Sequence, residues 1–190
     1  VLRRFRDWSK RWHPGEQIRI LDVGTGLADI PRGLADWGRN RKFRLKITAL
    51  DLVPEIADLA RTACAPYPEI EVRCGDVKAL QEKGFDYVLA SLFLHHVPPP
   101  ENAETLRLFD RLSRRGILVS DLCRNPVSYA GVWLLSHLIG NRIVRHDGPL
   151  SVRRAFTIPE LETLAAEAGL PYLAARKESP FRVILAGEKR

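Results

Sequence analysis

The sequence predicts a doubly wound α/β domain: a mostly parallel, seven-stranded sheet that ends in a C-terminal antiparallel hairpin. Three observations predict it. Apolar, β-branched runs alternate with segments of helical periodicity from residue 18 to residue 122, the signature of successive βαβ units covered on both faces. Two strand-like runs near the end, 171–178 and 181–189, are separated only by Ser179-Pro180. A parallel crossover needs about a dozen residues or more, so these two pair antiparallel. Finally, 190 residues are enough for one sizeable core and not comfortably for two, so 1–190 is expected to be a single domain.

The elements follow in order. In "VLRRFRDWSKRWH" (1–13), Leu2, Phe5, Trp8 and Trp12 share one helical face and the basic residues lie largely elsewhere. That pattern suits a helix that caps the domain, or an interfacial helix in peripheral contact with a membrane. "IRILDV" (18–23) is a short Ile/Val-rich strand that ends at glycines, and helical patterning follows through "DIPRGLADWGR". "LKITALDL" (45–52) is a strand, and "PEIADLARTACA" (54–65) is a helix with Pro54 in its first turn, where a missing N–H costs nothing. Strands are expected at 69–77 and 85–94, a helix at 101–113, and a fifth strand at 115–122. The segment 123–156 is an excursion from the carboxyl edge of the sheet, where lids and substrate pockets form. "TIPELETLAAEAG" (157–169) carries a Thr cap, an early Pro and a terminal Gly, all helix punctuation.

Composition narrows the class. Apolar residues make up 45% and charged residues 28%, ordinary for a soluble globular chain. No run approaches the roughly 18 apolar residues of a spanning helix, and no apolar core followed by small residues marks a secretory signal. Three scattered cysteines, Cys64, Cys74 and Cys123, argue for a reducing, cytoplasmic setting rather than a disulfide framework. The net charge of +7 permits contact with nucleic acid or an anionic membrane without requiring it. The chain starts at Val1 and contains no Met, so a preceding segment is expected.

The chemistry concentrates at "LDVGTGLAD" (21–29). Gly24 and Gly26 let the backbone approach a ligand and turn into the next helix. A dinucleotide would place a pyrophosphate against that helix, yet Asp22 and Asp29 flank the loop. Negative charge repels a pyrophosphate and suits a cation, so a cofactor with a sulfonium and an α-amino group fits better. This stretch resembles the first motif of the class I S-adenosylmethionine-dependent methyltransferases, with Ala28 in place of a third glycine. The resemblance continues at successive strand ends, through Asp51-Leu52, Asp76-Val77 and "FDYVLASLFLHHV" (85–97). It covers roughly residues 16–122 well and 157–190 by pattern, and it implies the Rossmann-like sheet closed by the hairpin.

On that resemblance the cofactor is S-adenosyl-L-methionine, with S-adenosyl-L-homocysteine as product. The residues implied to hold it are Asp22, Gly24, Thr25, Gly26, Asp29, Asp51, Leu52, Asp76, Val77, Ser91 and Leu92. Asp51 would bind the ribose hydroxyls, because an ionised carboxylate can accept from both. His95, His96 and His146 are the candidate catalytic bases, since a histidine can take a proton from a phenol or enol at neutral pH. Arg124, Tyr129 and Trp133 are candidate substrate contacts within the excursion, and Arg153-Arg154 offers cations to an acidic substrate group. No metal is expected, because Ser91-Leu92-Phe93 lacks the acidic ligands that a metal-dependent branch carries there. The expected substrate is a small hydrophobic molecule, phenolic or quinone-like, methylated on oxygen or carbon. A nucleic-acid partner is not expected. A nucleic-acid methyltransferase using the basic surface, or an NAD-dependent oxidoreductase on a related sheet, are the alternatives.

Overall fold

A computed structural model describes residues 1–124 and 154–189. The seven strands are β1 (Gln17–Val23), β2 (Arg44–Asp51), β3 (Ile70–Cys74), β4 (Phe85–Ser91), β5 (Ser113–Leu122), β6 (Ala174–Ser179) and β7 (Arg182–Glu188). They form one sheet in the order β3-β2-β1-β4-β5-β7-β6. β1 pairs parallel with both β2 and β4, so strand order reverses beside β1 and leaves a crevice at the carboxyl ends of these strands. β7 runs antiparallel to both β5 and β6, as the short Ser179-Pro180 connection requires.

Burial explains the strand sequences. β1 and β4 lie at the centre with helices on both sides, so they read as almost continuous apolar runs rather than alternating ones. One face packs under α4 (Asn102–Leu112) and α5 (Ile158–Glu167), with Leu106, Phe109, Leu161 and Leu164 against Val23, Val88 and Val119. The other is covered by α1 (Leu2–Trp8) and α2 (Asp29–Arg41), through Phe5, Trp8, Leu34 and Trp37 on Ile18, Ile20 and Leu89. α3 (Pro54–Cys64) packs against β3 beyond them. α5 starts with a capping box: Thr157 Oγ1 accepts from the Glu160 N–H, and the Glu160 carboxylate accepts from the Thr157 N–H at 2.9 Å, which satisfies two otherwise orphaned donors.

Several expected boundaries shift. The third strand stops at Cys74 rather than reaching 77, because Asp76 caps a 3-10 turn at Val77–Ala79 by accepting from the Lys78 N–H. The fourth stops at Ser91, because Leu92 turns left-handed at φ 55°. At the N-terminus the helix is only α1, followed by a 3-10 turn at Ser9–Arg11. Its aromatic face is spent on the sheet: Trp8 stacks on Tyr87 at 4.9 Å, and Trp12 Nε1 donates to Tyr87 Oη at 2.9 Å. Phe5, Trp8 and Trp12 are buried, so the face an interfacial helix would turn to lipid is committed to the core. Among the described residues no helix is long and apolar enough to cross a membrane.

Candidate active site

The loop after β1 is held by backbone geometry. Gly24 (φ 66°) could carry no side chain, since a Cβ would lie 2.5 Å from Phe93 Cδ2. Gly26 (φ 55°) faces open space with nothing within 4 Å. Both angles are left-handed, where glycine is tolerated and other residues are strained. The Thr25 N–H donates to the Leu50 carbonyl at 3.0 Å, and the Gly75 N–H to the Asp51 carbonyl at 2.8 Å, so three successive strand ends are tied together.

Asp51 holds the crevice from its other side. Its Oδ2 accepts from the Gly26 N–H at 2.9 Å and its Oδ1 from the Val53 N–H at 3.1 Å. Around it lies a cavity of about 410 Å³ whose walls include Gly24, Gly26, Asp51, Leu52, Asp76 and Val77, with Leu92 and Phe93 opposite. Leu52 and Val53 are exposed although apolar, which leaves a greasy flank for a flat ring. Asp22 stands behind the loop, 2% exposed, with Oδ2 accepting from Thr25 Oγ1 at 2.6 Å. Its Oδ1 has no hydrogen-bond partner. Burial pushes its carboxyl up to about 7; the Thr25 bond opposes this and nearby Asp51 adds to it.

Of the residues implied for the cofactor, Gly24, Gly26, Asp51, Leu52, Asp76, Val77 and Leu92 come together on this wall. Asp22, Thr25 and Ser91 are not among the residues that line it. Asp29 does not join them: it begins α2 with its side chain 77% exposed and ion-paired to Arg32 at 3.0 Å. Its place in the helix's first turn sets an acid at the positive end of the helix dipole. Ala28 is left-handed too, at φ 58°, so the position of the third glycine keeps a glycine-like backbone.

A second cavity, about 780 Å³, opens beside the first. Its walls include His95 and His96 from the 3-10 turn Leu94–His96, Asn102 from α4, Arg124, Arg154 and Phe156, and α5 residues. His96 lines both cavities. His95 is buried, and its ring Nδ1 lies 2.6 Å from Asp121 Oδ1, while its backbone N–H donates to Oδ2 at 3.2 Å. The short contact holds the His95 ring against Asp121. The two histidine rings lie 4.0 Å apart, centroid to centroid. Desolvation holds His96 below its ordinary value; His95 and Arg154 act in the same sense and Asp121 opposes them. Arg124 is ion-paired with Glu160. Tyr129, Trp133 and His146, with most of the 123–156 excursion, lie outside the described residues.

Asp121, Asn102 and Phe93 had drawn no attention in the sequence. Asp121 was detectable as the one acid inside the apolar run "GILVSDL", and it is fully buried. An ionisable group in such a place needs a partner. Among the described residues no group of three or more metal-ligating side chains gathers.

A family model described as a methyltransferase domain matches residues 20–116. A ubiquinone biosynthesis O-methyltransferase of Xanthomonas oryzae pv. oryzae is 31% identical over 118 residues, 59% of this chain and 46% of that protein. A carboxy-S-adenosyl-L-methionine synthase of Psychrobacter sp. is 30% identical over 106 residues, 53% of this chain and 39% of that protein. The chain thus spans less than half the length of these curated relatives. Among solved structures, a magnesium protoporphyrin IX methyltransferase from Synechocystis with bound S-adenosylhomocysteine superposes with a TM-score of 0.66 at 13% identity, covering 100% of this chain and 82% of that one. A plantazolicin methyltransferase, also with S-adenosylhomocysteine, gives 0.70 at 16% identity, covering 91% and 76%. At such identities these two likenesses speak for the fold.

Proposed function

Because the chain belongs to the methyltransferase domain family, we propose that it transfers the methyl group of S-adenosylmethionine to a hydroxyl of a small, largely apolar acceptor, phenolic or enolic in character. The observation that carries this reading is His96, which lines both cavities at their junction. The smaller cavity suits the cofactor on three counts. Gly26 leaves open space, Asp51 offers a carboxylate for a diol, and exposed Leu52 and Val53 offer an apolar flank for a flat ring. When bound, the cofactor supplies an electrophilic methyl on a sulfonium, which passes to the acceptor oxygen and leaves a neutral thioether.

The chain's own work is alignment and proton removal. Val97, Pro98, Pro99, Phe156 and Leu164 give the larger cavity an apolar wall that can hold an acceptor body and exclude water, which matters most in an in-line displacement. His96, kept neutral at physiological pH by its desolvated position, takes the hydroxyl proton. Asp121 and His95 are positioning residues. Asp121 fixes the His95 ring, and the His95 and His96 rings pack together, which would orient His96 toward the junction of the two cavities.

The test is methyl transfer from isotope-labelled S-adenosylmethionine to a panel of phenols as a function of pH. The wild-type rate rises through the depressed pKa of His96, below 6.5, and is level at neutral pH. His96→Asn lowers kcat about 100-fold or more, the usual yield of a positioned base, with S-adenosylhomocysteine affinity unchanged. Its residual rate climbs with pH toward the acceptor's own pKa. A variant whose pH profile matches the wild type would remove His96 as the base.

A further inference from the structure

Building on the proposed methyl transfer, we propose that the acceptor is an acid: a hydroxylated, largely apolar molecule whose carboxylate is anchored by Arg154, across the larger cavity from the cofactor. Two observations carry this independently. Arg154 lines the cavity and lies close enough to His96 to act on its charge, and among the described residues it has neither a hydrogen-bond nor an ion-pair partner. The other cation on that wall, Arg124, is engaged by Glu160. Its backbone neighbourhood is fixed: the Phe156 N–H donates to the Leu122 carbonyl at 3.3 Å, and the Arg124 N–H donates to the Phe156 carbonyl at 2.9 Å. Arg154 thus stands two residues before Phe156, the residue tied to the end of β5.

The second observation is Asn102. It lines the same cavity, is 5% exposed, and its Oδ1 has no hydrogen-bond partner. A buried amide oxygen without a donor is costly unless something supplies one, and an acceptor bearing an O–H or N–H would do so. An apolar wall, an uncommitted guanidinium and an unsatisfied amide together describe an amphiphilic guest with an anionic group and a second polar group. A guanidinium fork matches a carboxylate with two parallel N–H···O bonds, which fixes orientation as well as position. The hydroxyl is then left to face His96, where the two cavities meet.

The experiment uses the described chain saturated with S-adenosylhomocysteine and titrates matched pairs: the 2-, 3- and 4-hydroxybenzoates against the corresponding hydroxybenzamides. Binding is read by calorimetry and by the NMR shift of the His96 ring protons. At least one acid is expected to bind about tenfold more tightly than its amide. Arg154→Gln abolishes that preference while leaving S-adenosylhomocysteine and the amide unaffected, and Arg154→Lys restores part of it. Equal affinity of acid and amide, a preference that survives Arg154→Gln, or no binding of any acid overturns the proposal while the methyl-transfer reading stands. Failure of the chain to bind S-adenosylhomocysteine overturns both.

Discussion

The cavity at the ends of β1 to β3 takes its shape from left-handed glycines and backbone ties between strand ends, whereas its neighbour beyond His96 gathers side chains from separate elements. In the first, two left-handed glycines, the tie from Thr25 to Leu50 and the tie from Gly75 to Asp51 set the shape. In the second, histidines from a 3-10 turn, an amide from α4, arginines flanking 125–153 and the face of α5 converge from distant parts of the chain. A backbone cradle can be kept while acceptor chemistry is exchanged by substituting side chains on the other wall. On the proposed function, the difference teaches where specificity would reside: the sheet would hold a nucleotide-sized ligand, and what is mounted around β5 and α5 would choose the acceptor.

The sharpest way to break that contrast is Asp51, a side chain that ties the loop together. Its carboxylate accepts from two loop N–H groups besides being offered to the ligand. Hydrogen bonds to a charged group are each worth about 1.5–3 kcal/mol. Asp51→Ala should therefore weaken S-adenosylhomocysteine binding by about 100-fold or more by calorimetry, while the larger cavity is untouched. Binding that survives within a few-fold would mean that backbone alone suffices.

The same contrast decides what could be read before the structure. Gly24, Gly26, Asp51 and Asp76 stand at strand ends, and strand ends follow from apolar runs and their stops, so local pattern together with the family resemblance pointed to this wall of the smaller cavity. The sheet and its final hairpin were legible for the same reason. Asp121, Asn102 and Arg154 are brought together by tertiary packing across separate elements, and no spacing rule links them. Asp29 shows what sequence proximity to the glycines does not give, namely direction: the first turn of α2 carries its side chain outward to Arg32. The aromatic face of residues 1–13 was read for its amphipathicity, but its partner, Tyr87 on a central strand, is invisible in the segment itself.

A smaller effect separates charge from shape within the cofactor wall. Asp22, raised to about 7 by burial, holds a proton in the folded chain over a range where the unfolded chain has lost it. Its contribution to stability therefore declines as pH rises from about 4 to about 7. A cationic ligand favours the ionised form and reverses the preference, so cofactor affinity should rise with pH. One linked proton of that pKa makes binding about tenfold weaker at pH 6 than at pH 8. Asp22→Asn keeps the shape and removes the titration, so its calorimetric profile should be flatter by that factor. An unchanged slope in the variant would assign the proton elsewhere.

The smallest effect concerns Ala28, whose backbone adopts the conformation of the glycine it replaces (φ 58°) while its methyl is fully buried beside Ala60 and Cys64. Ala28→Gly relieves a left-handed strain of about 1–2 kcal/mol. It also forfeits about 0.8 kcal/mol of methyl burial and about 0.4–1 kcal/mol through the greater freedom of the unfolded chain. These nearly cancel, so the net change should stay within about 1 kcal/mol, a shift in Tm of about 2–4 °C at most. Cofactor affinity should not move, because Ala28 lies behind the wall formed by Gly24 and Gly26. A loss several times larger would show that the methyl locks the loop, and that the cradle depends on packing as much as on backbone.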